Sequence, residues 1–114
     1  MKVLFVVIND LDVFDELVVE LVDHGISGGT IFETQGMMTN IAGRNAVAHL
    51  YQNLNKILAP GQDFNKTLMM VLDDEQVGIA KACVRQVAGS FDNPNSGLMF
   101  TLDADSVEGY GHKE

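Results

Sequence analysis

The apolar positions change their spacing along the chain, and each change marks a predicted element. An unbroken apolar run over residues 3–8 is typical of a buried strand. Helical spacing follows, with one apolar stripe made of Val13, Phe14, Leu17, Val18, Leu21 and Val22. Gly25 suits the position just beyond a helix end. β-branched and aromatic residues then predict a strand within residues 26–36.

The second half of the chain shows the same order of elements. Residues 66–72 predict a strand, and Asp73 and Asp74 can open a helix that Gly89 ends. The buried face of that helix is predicted to consist of Val77, Ala80, Cys83, Val84 and Val87. Residues 97–102 predict a fourth strand.

A weak internal repeat relates these two halves. A shift of 64 residues places Lys2 on Lys66 and Gly25 on Gly89. Two strand–helix–strand units predict an α+β fold of the ferredoxin-like, split βαβ type. Right-handed crossovers would place both helices on one face of a four-stranded antiparallel sheet. Residues 1–114 are therefore predicted to form a single domain.

The first strand indicates that the other face of this sheet is also covered. Val3, Phe5 and Val7 alternate with further apolar residues, so both faces of the strand are apolar. Antiparallel sheets with one solvated face normally alternate apolar and polar positions. We therefore expect a cover on the second face, and self-association would provide it most simply.

The segment between the halves, residues 37–65, is too long for an ordinary connection in a small domain. Helical spacing recurs within it, at Val47, Leu50, Tyr51, Leu54, Ile57 and Leu58. This spacing predicts a helix over residues 43–58, which Pro60 and Gly61 would stop.

Composition and charge exclude several classes of function. The 114 residues include sixteen acidic and seven basic side chains, which gives a net charge of -9. This balance disfavours nucleic acids and anionic membranes as partners, because both need a basic surface. No apolar run approaches the length of a transmembrane segment, and no targeting segment is visible. The single cysteine fits a reducing, cytoplasmic setting.

Two stretches resemble the nitrogen-regulatory PII signalling superfamily. Residues 24–36, HGISGGTIFETQG, are similar to that family's second strand, and residues 97–109, GLMFTLDADSVEG, to its last strand and C-terminal loop. The resemblance implies a homotrimer whose sheets line a central barrel. It also implies small-molecule effector sites in the clefts between subunits. The family's T-loop, which contacts the regulated protein, corresponds here to residues 37–65.

The chain also departs from the PII pattern. Family members that bind nucleotides hold the phosphates with basic residues before and just after the last strand. The corresponding residues here, 88–97 and 105–109, contain no lysine or arginine. Several phosphate charges would meet uncompensated repulsion in such a cleft. We therefore expect loss of the usual ATP/ADP mode and an effector with less charge, such as a nucleoside, a monophosphate or a metal.

The predicted ligand-binding residues fall into three groups, each with a structural alternative. Thr30, Gln35, Gly36 and Met37 resemble the base of the T-loop, although an ordinary strand end explains them equally. A loop that could hold an anion through backbone N–H groups is predicted from Gly89, Ser90, Asn93, Ser96 and Gly97. The same residues suit a simple turn. Arg44 could meet a phosphate or carboxylate, or could lie on a helix surface.

Catalytic and metal sites have little support in the sequence. The chain has no phosphate-binding P-loop and no HExxH zinc motif. Cys83 is interpreted as a core residue, His24 as a complement to its helix C-terminus, and no metal ligands are predicted. The favoured hypothesis is a PII-like sensor with an unidentified effector and cofactor. The alternatives are an interaction module without a small-molecule ligand and a small ferredoxin-like-fold enzyme.

Overall fold

The computed structural model describes residues 1–37, 40, 64–89, 91 and 97–109. In chain order these contain β1 (Lys2–Ile8), α1 (Leu11–Asp23), β2 (Thr30–Gln35), β3 (Phe64–Leu72), α2 (Asp74–Ala88) and β4 (Leu98–Asp103). The predicted helix over residues 43–58 lies outside the described residues. Within the described ranges, neither helix has the length and apolarity needed to cross a membrane.

The strands form one antiparallel sheet in the order β2-β3-β1-β4. β1 and β2 are parallel to each other with β3 between them, and β3 and β4 have β1 between them. This arrangement is the ferredoxin-like split βαβ fold. The fold class predicted from the sequence is therefore confirmed.

Local residue chemistry fixes the ends of both helices. The Asp10 carboxylate accepts hydrogen bonds from the backbone N–H groups of Asp12 and Val13, which caps α1. Asp73 and Gln76 form a reciprocal capping box at the start of α2. Gly25 and Gly89 adopt positive φ angles of 84° and 76° just beyond the helices, as their predicted positions require.

The core lies between the sheet and the two helices. Its buried strand residues are Leu4, Val6, Ile8, Leu68, Met70 and Leu72, and its buried helix residues are Phe14, Leu17, Leu21, Ala80, Cys83 and Val84. We call this side of the sheet the helix-covered face. Val22 belongs to the predicted apolar stripe of α1, but it lies at the edge of the core and is 54% exposed.

The opposite side of the sheet, which we call the open face, is also apolar. Strand pairing places on it the apolar side chains of Val3, Phe5, Val7, Phe32, Met69, Val71, Leu98, Phe100 and Leu102, and toward the β2 edge the polar side chains of Thr30, Thr34, Asn65 and Thr67. The rings of Phe5 and Phe100 stack with centroids 5.0 Å apart. Leu98 and Leu102 are more than half exposed. The apolar character predicted for both faces of β1 therefore extends to neighbouring strands.

Candidate functional site

The described members of the predicted ligand site lie at one end of the sheet, with the exception of Thr30. Gln35 ends β2 and is followed by Gly36 and Met37, at the end of the sheet where β1 reaches Ile8. Gly89, which follows α2, and Gly97, which precedes β4, lie at this same Ile8 end. Thr30 begins β2 opposite Met69, which pairs with Phe5, so it lies level with the middle of β1 and not at the other end of the sheet, where β1 starts with Lys2. Four further predicted residues lie outside the described residues: Arg44, Ser90, Asn93 and Ser96.

The two groups at the Ile8 end occupy opposite corners of the sheet. β2 and β4 are the two edge strands, so β3 and β1 separate Gln35 from Gly97. Three strand spacings correspond to roughly 14 Å. Within one subunit, Gln35 and Gly97 are therefore not in contact.

Gly97 is required by the close approach of the chain to β1. Its φ is 115°, a region that side chains rarely adopt. A Cβ atom at this position would lie 2.3 Å from the carbonyl oxygen of Val7 and 3.2 Å from the ring of Phe91. The glycine is thus explained by packing, with or without a ligand.

Hydrogen bonds attach the start of the 37–65 segment to the end of β2. The Asn40 side-chain amide donates to Gln35 Oε1 at 2.9 Å, and the Asn40 backbone N–H donates to the Gly36 carbonyl at 3.0 Å. These two bonds hold Asn40 close to the end of β2.

A cavity of about 340 Å³ lies at the Lys2 end of the sheet. Its volume is within the range of small-molecule sites. It is lined by residues 25–28 after α1, by Val71 and Leu72 of β3, by Gln76 of α2, and by residues 107–109. The two stretches that carry the PII resemblance, 24–36 and 97–109, therefore meet at this cavity.

The polar groups of this cavity favour a ligand without high negative charge. Glu108 contributes a carboxylate, while Gln76 and Ser27 contribute uncharged groups. Asp73 and Asp74, at the start of the helix that carries Gln76, add further negative charge nearby. A polyphosphate would be repelled, whereas hydroxyl, amide or cationic groups would meet acceptors.

The described lysines and arginines lie outside the lining of the cavity, although the charge of Lys2 interacts with that of Asp74. Lys2 pairs with Asp103, and the Lys66 Nζ atom lies 3.7 Å from Glu33 Oε2 and 5.6 Å above the Phe14 ring centroid. Lys81 and Arg85 belong to α2. None of these four cations lines the cavity.

The residues that line this cavity were not among those predicted from the sequence. The similarity of 24–36 and 97–109 to PII pointed to both segments, but the individual residues selected from them lie elsewhere. Ser27 and Glu108 have no local pattern that marks a site. They are close together only because α1 and β4 both end at the Lys2 end of the sheet, where the turns that follow them also lie.

A second group of side chains combines two residues of α1 with one residue of α2. Glu20 and His24 lie one turn apart at the end of α1, and Cys83 lies on α2. Potential metal-ligand atoms of these three residues all lie within 4.8 Å of one another. Burial raises the pKa of the Cys83 thiol, and the Glu20 carboxylate raises it further. The thiol is therefore protonated near neutral pH and a weak nucleophile.

Comparisons with known proteins add no family assignment: no protein-family model matches the chain, and no curated protein matches it.

Proposed function

We propose that this chain is a PII-like regulatory protein that forms a homotrimer, senses a small effector and signals through residues 37–65. The observation that carries the proposal is the apolar open face on a ferredoxin-like sheet. An apolar patch of this kind, continuous over neighbouring strands, is typical of an interaction surface. Three sheets packed around a common axis would cover all three open faces.

The effector is proposed to carry little negative charge. The cavity at the Lys2 end has Glu108 on its wall and an acidic helix start beside it. In a trimer, this cavity would form part of an intersubunit cleft and would receive further groups from a neighbour. A nucleoside, a monophosphate or a cation suits these surroundings better than ATP.

The output is proposed to be a change in the arrangement of residues 37–65, which a regulated protein then binds or releases. The hydrogen bonds from Asn40 to Gln35 and Gly36 support this route, because they join the segment to the sheet. A ligand acts in this way only if it favours one arrangement over the other. The cytoplasmic setting expected from the single cysteine belongs to the same proposal.

Light scattering on the purified chain tests the assembly. We expect three times the mass of 12.4 kDa for the unmodified protein. Leu102→Asp, which places a charge on the open face where the leucine is 53% exposed, should reduce the particle to a monomer. The control is Val19→Asp on α1, where the valine is 60% exposed, and its mass should stay unchanged.

A thermal-shift screen tests the sensing. The panel contains adenine and guanine nucleotides, cyclic nucleotides, nucleosides, 2-oxoglutarate, bicarbonate and divalent metals. A ligand at a hundred times its Kd adds about 2.7 kcal/mol to the free energy of unfolding, which raises the Tm by several degrees. Stabilisation by ATP would contradict the charge argument, and a monomeric particle would contradict the assembly.

An interaction module without a small-molecule ligand is the second candidate, because the open face alone requires only a partner surface. It predicts a trimer that responds to no compound in the panel. Limited proteolysis separates the two further. The sensor predicts that an effector changes cleavage within residues 37–65, whereas the module predicts protection of that segment from the start.

A further inference from the structure

The side-chain cluster at the end of α1 has the composition of a transition-metal site. We propose that Glu20, His24 and Cys83 bind a divalent ion of the zinc class and thereby connect α1 to α2. Sulfur, nitrogen and oxygen from these residue types are the ligands that Zn²⁺ takes in proteins. This proposal is independent of the sensing proposed above and rests on different residues.

The geometry requires only small movements to close around an ion. The Glu20 Oε2 and His24 Nδ1 atoms are 3.6 Å apart, and the ligand atoms of all three residues lie within 4.8 Å of one another. Zinc bonds of about 2.0–2.3 Å in a tetrahedral arrangement place neighbouring ligands roughly 3.3–3.8 Å apart. A contraction of about 1 Å is within reach of the Glu20 and His24 side chains, because neither is buried.

The helical spacing presents two of the ligands together. His24 is four positions after Glu20, so the two side chains lie on the same side of α1. Cys83 faces them from α2 and is only 3% exposed. The thiolate therefore comes from the core side and the other two ligands from the solvent side. Three protein ligands leave a fourth position for water.

The chemistry of binding is a proton-for-metal exchange. The ion forms a bond to the Cys83 sulfur as the S–H bond breaks, and the proton passes to the solvent without a change in oxidation state. A thiolate ligand favours zinc, cobalt or copper(I) over magnesium and calcium, which prefer oxygen. Two oxygen-preferring ions thus serve as negative controls.

A structural role competes with this proposal. His24 Nδ1 lies 2.9 Å from the Glu20 carbonyl oxygen, so the ring also satisfies a backbone acceptor at the end of α1. That role needs neither the carboxylate nor the thiol, and the hydrogen bond through Nδ1 must be given up if this nitrogen binds the ion. The two explanations consequently predict different effects of Glu20→Gln and Cys83→Ala.

Cobalt titration of the full, tag-free chain under reducing conditions tests the site. Because the chain has one cysteine, any thiolate-to-cobalt charge-transfer band reports Cys83. We expect this band together with the visible bands of four-coordinate cobalt, at one ion per chain. Added Zn²⁺ should displace the cobalt and abolish both, whereas Mg²⁺ and Ca²⁺ should not.

Variants distinguish a built site from adventitious binding to a thiol. Cys83→Ala should abolish the charge-transfer band, and His24→Asn and Glu20→Gln should each weaken cobalt binding by roughly tenfold or more. Glu16→Gln, one turn earlier on α1, is the matched control and should bind as the unmodified chain does. Circular dichroism checks that each variant is folded.

Absence of the charge-transfer band in the folded, unmodified chain would overturn the proposal. A band of equal strength in Glu20→Gln and His24→Asn would overturn it as well, since the thiol would then bind cobalt alone.

Discussion

The two faces of the sheet have similar side chains and different surroundings. On the helix-covered face, Leu4 and Val6 are fully buried beneath α1 and α2. On the open face, Leu98, Phe100 and Leu102 are between 39% and 54% exposed. β1 contributes apolar residues to both faces, and from Val3 to Ile8 its burial alternates between half-buried and buried positions.

This difference shows that an apolar strand pattern does not say whether the cover of a sheet face comes from the same chain. The helices supply the cover on one side within the chain. On the other side, the same kind of side chain has no cover from its own chain. We propose that two further copies of the chain cover it. The hydrophobic driving force per unit area is the same for both.

The largest effect is expected from truncating matched leucines on the two faces. Leu4→Ala leaves a cavity beneath the helices and should lower the free energy of unfolding by about 2–5 kcal/mol. Leu102→Ala should lower it by less than about 1 kcal/mol where the protein is monomeric. Urea unfolding at several protein concentrations measures both. Equal losses at the lowest concentration would remove the distinction between the faces.

A glycine substitution tests how β4, which supplies much of the open face, is held against β1. Gly97→Ala would force a Cβ against the Val7 carbonyl and should destabilise the fold by roughly 1–3 kcal/mol. Gly78→Ala is the control: it lies in α2 with open space around it, and alanine there should stabilise by about 0.5–1 kcal/mol. Chemical denaturation of both variants would reveal the opposite signs.

The stacked rings of Phe5 and Phe100 allow a test of whether side chains on the open face stabilise one another. A double-mutant cycle with Phe5→Leu and Phe100→Leu should give a coupling of about 0.5–1.5 kcal/mol in unfolding experiments, as measured for aromatic pairs. Met69→Leu, on the same face, is a control for general repacking. A coupling near zero would mean that the two rings contribute independently.

The smallest effect concerns the ion pair at the Lys2 end of the sheet. The hydrogen bond with Lys2, and then its charge, lower the pKa of Asp103, and the same contacts raise the pKa of Lys2. The contribution of this ion pair to the free energy of unfolding is therefore lost as the pH falls through the lowered pKa of Asp103. It is also lost as the pH rises through the raised pKa of Lys2. It is present throughout the range between them.

Thermal unfolding across pH measures this contribution. Lys2→Gln should flatten the stability profile slightly at both the acidic and the alkaline end, and added salt should weaken the difference because both groups are exposed. Asp105→Asn changes the charge by one unit nearby and serves as the control. An unchanged profile in Lys2→Gln would assign the ion pair no role in stability.

The candidate sites were less predictable than the fold. The cavity at the Lys2 end depends on Ser27, Gln76 and Glu108, which lie far apart in the chain. The group of Glu20, His24 and Cys83 was not predicted for the same reason: Glu20 and His24 have a recognisable spacing, but Cys83 belongs to the other half of the chain. The two stretches similar to PII contribute to the lining of this cavity, but the residues predicted from them do not.

The sequence by itself determined the elements, their order and the ferredoxin-like class, because strand and helix periods and capping residues such as Asp10 and Asp73 act locally. It also indicated that both faces of β1 are apolar. Only the tertiary structure decided which apolar residues the helices bury, and which distant side chains share a cavity or a ligand cluster. Those relations depend on the packing of α1 and α2 across the sheet, which joins residues more than fifty positions apart.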